Sequence, residues 1–315
     1  VFIIALFTLF VQPTFSQLSG NYTIDPAGGD FFSKNCKSFT EAIDSLISQG
    51  VDGPVVFNVA DGTYTERVVI SQITGASAVN TVTFQSQSLD STKVTLTYMN
   101  TDNTNNWVLR LNGADYVTIR KMRLQATGNS YARVININGN ANNNIIGNCQ
   151  LLGYNTTSTT NYLAILASFD DQAENNIIRN NYFLNGSYGI YMSGISSTTL
   201  SSGTLIENNI FNDPSGYGIW LRYHNAPIIK NNVFDFTNLS GYGIYLRECD
   251  NDFEIRENKI NLATGNYGIY LYGSLNTTIY NNLFKNTNNV DFSGAVYSNI
   301  WNTTKALSSR PACAL

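Results

Sequence analysis

The chain has little charge, with 18 basic and 22 acidic residues in 315, a net of −4 and a single histidine, His224. No basic stripe exists to neutralise phosphates, which argues against nucleic acid as a partner. One histidine excludes a histidine-rich metal centre. Apart from Val1 to Val11 there is no long apolar run, so no segment has the length of a membrane-spanning helix. Cysteine is scarce too: of the four, Cys149 and Cys249 fall about three repeats apart, too far for a bridge, and Cys36 and Cys313 have no evident partners. What the chain has instead is asparagine, serine, threonine and tyrosine, arranged periodically.

The period is carried by a six-residue phrase: Ile178-Arg-Asn-Asn-Tyr-Phe183, Ile206-Glu-Asn-Asn-Ile-Phe211, Ile229-Lys-Asn-Asn-Val-Phe234, Ile255-Arg-Glu-Asn-Lys-Ile260 and Ile279-Tyr-Asn-Asn-Leu-Phe284. Weaker copies begin at Ile119 and Ile146, and successive first positions are 23 to 32 residues apart. A repeat of that length means a solenoid. Strand side chains alternate faces, so Ile178 and Phe183, five positions apart, cannot enter one core from a straight strand. The chain must bend at Asn180 and Asn181, because asparagine tolerates left-handed backbone geometry.

A second phrase follows in each repeat: Tyr188-Gly-Ile-Tyr-Met192, Tyr217-Gly-Ile-Trp-Leu221, Tyr242-Gly-Ile-Tyr-Leu246 and Tyr267-Gly-Ile-Tyr-Leu271. Alternation places Ile190 and Met192 and their equivalents inside and Tyr191, Trp220, Tyr245 and Tyr270 outside. Stacked coils would align the second asparagines (Asn181, Asn209, Asn232, Asn258, Asn282) as an amide ladder, with Cys149 replacing the asparagine one repeat earlier.

The expected architecture is all-β, a right-handed parallel β-helix (solenoid) with an N-terminal capping α-helix. Residues 1–16 read as a signal peptide truncated at its start, 17–53 as an N-terminal segment with the capping helix, 54–304 as the β-helix, and 305–315 as an irregular tail marking a truncation. The helix is expected over Ser38 to Ile47, where Phe39, Ala42, Ile43, Leu46 and Ile47 form an apolar stripe, Ser38 and Glu41 a capping box, and Gly50 a stop. The first strands are expected at Pro54–Val59, Glu66–Ile70, Val82–Gln85 and Val94–Tyr98, with a turn at Asp61-Gly62.

These Ile-x-Asn-Asn-x-Phe phrases resemble those of the right-handed parallel β-helix proteins of the pectin-lyase-like superfamily, and the likeness runs from about Tyr22 to Trp301. Gly53 to Glu66 also resembles the opening of secreted Bacteroidota-type surface β-helices. The resemblance implies the fold but no single activity, since the superfamily holds lyases, hydrolases, esterases and non-catalytic surface proteins. The Asn-Thr-Asp, Gly-Asp-Asp, Gly-His-Gly and Arg-Ile-Lys phrases of polygalacturonase-like members are missing. So are the Asp-Phe-Ile-Phe-Gly phrase of pectinesterases and the Trp-Ile-Asp-His phrase of many pectate lyases.

Candidate chemistry concentrates on the outer face of the Tyr-Gly-Ile strand. There Tyr191, Trp220, Tyr245 and Tyr270 would form a file, beside Ser193, Arg222, Arg247 and Tyr272. Ring faces next to guanidinium donors suit a polysaccharide, although aromatic residues also suit strands and ladder with one another. The favoured reading is a secreted or cell-surface, non-catalytic glycan-binding or adhesive stalk in a longer chain. Its partner would be a polysaccharide or cell-surface glycan contacted by Tyr191, Trp220, Arg222, Tyr245, Arg247, Tyr270 and Tyr272. The alternatives are a structural spacer, or a polysaccharide lyase or hydrolase using Arg222, His224, Arg247 and Asp250, with Lys230 as a charge neutraliser or Asp170 and Asp171 as paired carboxylates. No cofactor is expected, although the acidic turn from Glu248 to Glu254 could offer oxygens to calcium.

Overall fold

The computed structural model of the protein describes residues 16–237, 241–262, 267–274, 276–285, 288–293 and 300–302. The segment expected to be a signal peptide (except Ser16), the expected tail and Cys313 lie outside the described residues.

The fold is organised by the asparagine corner. Lys121, Asn148, Asn180, Asn208, Asn231, Glu257 and Asn281, the third residue of each phrase, all take φ between 54° and 58°. This left-handed residue turns the chain sharply, so that Ile178 and Phe183 both reach the core. Each turn of the solenoid therefore has three short strands rather than two, and these stack in parallel into three long sheets. Sheet A has twelve strands and contains the first half of each phrase, such as Ile177–Arg179. Sheet B has nine and contains the second half, such as Tyr182–Leu184. Sheet C also has nine and contains the Tyr-Gly-Ile strands, such as Tyr188–Ser193. The result is a parallel β-solenoid of about eight turns.

Inside, equivalent residues stack in columns. Phe183, Phe211 and Phe234 from sheet B follow one another with centroids 4.6 and 4.8 Å apart. The expected amide ladder runs beside them. Each backbone N–H of Asn181, Asn209, Asn232 and Asn258 donates to the side-chain oxygen of the next asparagine at 2.9–3.0 Å. Each side-chain amide of Asn181 to Asn282 donates to an isoleucine carbonyl of the turn before at 2.8–3.0 Å. Cys149 takes over the file below Asn181, with its N–H on Asn181 Oδ1 at 2.9 Å and its thiol against the carbonyls of Ile119 and Gly147. It is a buried filler whose pKa is pushed up to about 12 by burial. A shorter asparagine file, Asn144 and Asn176, satisfies the corner between sheets C and A.

The capping helix, α1 (Phe39–Gln49), is two residues longer at its end than the sequence pattern suggests, and Gly50 terminates it with φ 70°. Ser38 accepts from Glu41 N–H at 3.1 Å, completing half of the expected box. Glu41 reaches back to Lys37 N–H at 2.6 Å, one residue earlier than the motif prescribes. Phe39, Ala42, Ile43 and Leu46 are buried, whereas Ile47 is 40% exposed and lies off the apolar stripe. Glu66, from the first coil, receives the N–H groups of Phe39 and Thr40 at 3.1 and 2.9 Å, pinning the lid to the barrel where the helix dipole favours a carboxylate.

Two boundaries differ from the sequence reading. The solenoid does not begin at Pro54, since Leu18–Ile24 already pairs in parallel with Val51–Val59 in sheet A, on the far side of the helix in sequence. And Asp61-Gly62 leads straight into the strand Gly62–Thr65, leaving Glu66 in a corner and Val68–Ser71 as the sheet C strand. Turn signals at 61 and 66 are close together because the sheet B strand between them is only four residues long.

Candidate functional site

Sheet C presents its outer face through alternate residues. Tyr191, Trp220, Tyr245 and Tyr270 are in register across neighbouring strands and half-buried. Their rings stack at 4.2, 6.2 and 5.0 Å with planes within 12° of parallel. Beside them stands a second file that alternation alone places inside: Tyr188, Tyr217, Tyr242 and Tyr267, stacked at 4.9, 5.3 and 6.2 Å. The cause is the intervening glycine. A Cβ on Gly218 would lie 2.5 Å from Phe234 Cδ1 and 2.6 Å from the Gly243 carbonyl, and Gly189 has the same neighbours one turn earlier. Backbone therefore sinks onto the phenylalanine column at Gly189 and Gly218 and onto Ile260 at Gly243, and the tyrosine before each glycine swings outward. The two files meet edge to face, as between Tyr188 and Tyr191 at 5.2 Å and 85°.

This geometry changes what the rings can offer. Near-parallel stacking along the solenoid axis occupies most ring faces with the next ring, so solvent meets ring edges and phenol hydroxyls. Burial raises the pKa of Tyr188, Tyr191, Tyr217 and Tyr245, keeping the hydroxyls protonated donors.

The two arginines beside the strip already have partners. Arg222 lies over the Tyr223 ring at 4.0 Å, and its Nη2 donates to the Tyr223 hydroxyl. Arg247 pairs with Glu248 at 2.9 Å, which raises its pKa, and lies over Tyr272 at 5.2 Å. Tyr272 is the most exposed ring of the set at 41%.

The catalytic candidates lie on neighbouring strands, with Arg222 in register with Arg247, but the side chains of Arg222, His224 and Arg247 have separate partners. His224 does not sit at a loop rim: it is buried in a two-stranded ladder with Ser201, its Nδ1 is 3.1 Å from Thr204 Oγ1, and burial pulls its pKa down to about 4. Its imidazole is neutral and enclosed at physiological pH, the opposite of an accessible general base. Asp171 is buried and accepts from Asn140 N–H at 2.8 Å, while Asp170 accepts from Ser193 Oγ at 3.1 Å. Lys230 belongs to sheet A, where it pairs with Glu207 at 3.1 Å. Asp250 forms a bridge pair with Asn225, and its N–H donates to the His224 carbonyl at 3.0 Å. In the acidic turn, Glu248 and Glu254 are turned to Arg247 and Arg256. Among the described residues no three His, Cys, Asp or Glu side chains gather where they could hold a metal.

The lower turns of the same face carry residues that the repeating phrases did not point to. Following the register downward from Tyr191 leads through Ala167 to Asn136 and then to Arg110, with Arg133 and Trp107 each three residues earlier in the chain. Arg67 and Arg110 contact the Trp107 ring at 5.5 and 4.5 Å, and Arg133 lies over Phe169 at 4.3 Å. Phe169 in turn contacts Tyr191 at 5.1 Å with the planes tilted by 33°, which links Arg133 to the aromatic file. Concavities lie elsewhere, one of about 370 Å³ along the asparagine corner near Asn148 and Asn208 and one of about 240 Å³ on sheet B near Lys259 and Lys285.

Among solved structures, pectate lyase Pel9A superposes over 93% of this chain and 82% of its own, with a TM-score of 0.58 at 12% identity. A lacto-N-biosidase from Eubacterium ramulus covers 90% and 67%, at 0.52 and 9%. A rhamnogalacturonan lyase covers 92% and 90%, at 0.50 and 13%. The chain shares the parallel β-helix fold of these structures. In sequence, residues 167–310 match the family described as periplasmic copper-binding protein (NosD). No curated protein matches the chain. The described donors do not fit copper: the one histidine is enclosed against Thr204, and Cys36, Cys149 and Cys249 are all buried.

Proposed function

We propose that the protein is a non-catalytic β-helix, located in the cell envelope or on the cell surface, that binds a polysaccharide along the outer face of sheet C. The observation that carries this reading is the double file of eight rings on that face, beside Arg222 and Arg247. An extended polymer can lie parallel to the solenoid axis, taking hydrogen bonds from phenol edges and guanidinium groups turn after turn. The separate partners of the Arg222, His224 and Arg247 side chains support binding without turnover. A periplasmic description for the family matching residues 167–310 supports a location outside the cytoplasm.

Affinity electrophoresis in gels containing acidic or neutral polysaccharides tests the proposal, with unsaturated products and reducing ends assayed in parallel. Retardation without new product is expected, and Trp220→Ala is expected to weaken it, since Trp220 links Tyr191 to Tyr245 in the strip. Release of product would establish an enzyme instead. One observation favours a second reading, a structural spacer: stacked rings already satisfy each other's faces and stabilise neighbouring turns by about 0.5–1.5 kcal/mol per pair. Absence of retardation by every polymer would leave that reading.

A further inference from the structure

Sheet A turns two files of side chains outward, one on each side of the buried column that contains Ile178 and Ile206. The first file runs Thr118, Ile145, Ile177, Leu205, Ile228 and Glu254 over successive turns, and the second runs Arg120, Gly147, Arg179, Glu207, Lys230 and Arg256. Four aliphatic side chains in register, Ile145, Ile177, Leu205 and Ile228, thus form a half-buried ridge that ends at Thr118 on one side and Glu254 on the other. In the charged file most groups are already engaged. Glu207 pairs with Lys230, Arg256 with Glu254 and Glu257, and Arg120 donates to Gln85 Oε1 at 2.7 Å. Arg179 is exposed and makes no ion pair among the described residues.

This pattern is self-complementary about the midpoint between the strands of Ile177 and Leu205. Two copies of one sheet face can meet about a two-fold axis between them in two ways, with the axis along the solenoid or along the strands. An axis along the solenoid sets the aliphatic file of each copy against the charged file of the other, burying Arg179 and Glu207 on Ile177 and Leu205 without a partner. An axis along the strands sets each file against itself in reversed order. Ile177 then meets Leu205 of the second copy, Ile145 meets Ile228, and Arg179 meets Glu207, each pair occurring twice. Gly147 falls opposite Lys230, where its missing side chain leaves room for the ammonium stem. Like charges meet only at the ends, Arg120 opposite Arg256, and there Glu254 and Glu257 neutralise Arg256.

We propose that the chain associates with a second copy of itself through the outer face of sheet A, the two solenoids running antiparallel. Contact between the aliphatic ridges removes apolar surface from water, and the paired Arg179 and Glu207 set register and direction. The contact involves a few strands of one sheet, which places it among weak and reversible interfaces. It goes beyond the glycan reading and is independent of it, because the two files lie on a different sheet from the aromatic rings.

Sedimentation equilibrium of the full chain at concentrations up to about 0.5 mM tests the proposal, in the range where interfaces of this size populate. A monomer–dimer equilibrium is expected. Leu205→Asp puts a carboxylate into the middle of the ridge and is expected to weaken association about a hundredfold or more. Arg179→Glu and Glu207→Arg are each expected to weaken it about tenfold, by setting like charges face to face. An equimolar mixture of these two variants is expected to regain a dimer with one chain of each kind, since their exchanged charges complement one another. Ile210→Asp, at an exposed position of sheet B, is the control and is expected to leave association unchanged. A monomer at every concentration, or a dimer indifferent to Leu205→Asp, would overturn the proposal. A mixture that associates no better than its components would overturn the antiparallel register. Should Leu205→Asp fold poorly, Arg179→Glu decides the matter, because Arg179 is exposed and unpaired in the single chain: a dimer indifferent to it is incompatible with the proposal.

Discussion

Asn232 shows how much one side chain does in this fold. Its Oδ1 accepts from the Asn209 backbone and side chain at 2.9 and 3.0 Å, and its Nδ2 donates to the Ile206 carbonyl at 3.0 Å. Asn232→Ala would leave the Asn209 N–H and the Ile206 carbonyl buried without partners, so a loss of about 2–4 kcal/mol is expected in denaturant unfolding. His224 makes a different prediction. Its pKa in the folded chain, about 4, lies below the ordinary 6.5, so between those values the unfolded chain binds more protons. Stability contributed by the neutral imidazole is thus complete above pH 6.5 and lost as pH falls toward about 4, by about 3 kcal/mol over the window. Unfolding curves for the parent and His224→Gln should converge as pH drops, the variant showing the shallower dependence; parallel pH profiles would refute the burial account.

At the scale of the strand, the glycine before each inward isoleucine fixes the spacing of sheets B and C. Gly218→Ala places a methyl 2.5 Å from Phe234 and 2.6 Å from a backbone carbonyl that cannot rotate away, so a destabilisation of about 1–3 kcal/mol is expected, read as a lower melting temperature. The same glycine explains what the sequence revealed and what it hid. Repeating phrases made the asparagine ladder, the inward Ile178 and Phe183 columns and the outer Tyr191 file legible, because each follows from a local pattern and a fixed period. Tyr188 and its equivalents were not legible, since their outward position depends on a backbone shift at Gly189 set by a phenylalanine from another turn. His224 eluded the pattern for a related reason: alternation ends with the strand at Arg222, and the two-stranded ladder that encloses His224 arises from Ser201 of the preceding turn. Arg110 and Arg133 belong to early turns that lack the Tyr-Gly-Ile phrase, so nothing in the text of the sequence joined them to the aromatic strip. Registration through Ala167 and Asn136 does.

Across the whole molecule, sheet C carries arginines on its lower turns and a double file of rings on its upper ones, and the residues between them on this face, Arg133, Asn136, Ala164 and Ala167, are buried. From the strand of Arg110 to that of Tyr270 there are six strand intervals, about 29 Å at strand spacing. Each half alone offers a few half-buried donors, which makes a weak site for a short sugar. A polymer long enough to reach both gains the second set of contacts as an intramolecular event, at an effective concentration fixed by the rigid solenoid. Affinity for oligomers of a bound polysaccharide should therefore rise steeply with length until both halves are covered and then level off. Arg110→Gln and Trp220→Ala should each flatten that rise, because either substitution leaves only one half to bind. Oligomers that already match the polymer in affinity when too short to span the face would show that the two halves act separately and that the continuity through Phe169 and Tyr191 has no role in recognition.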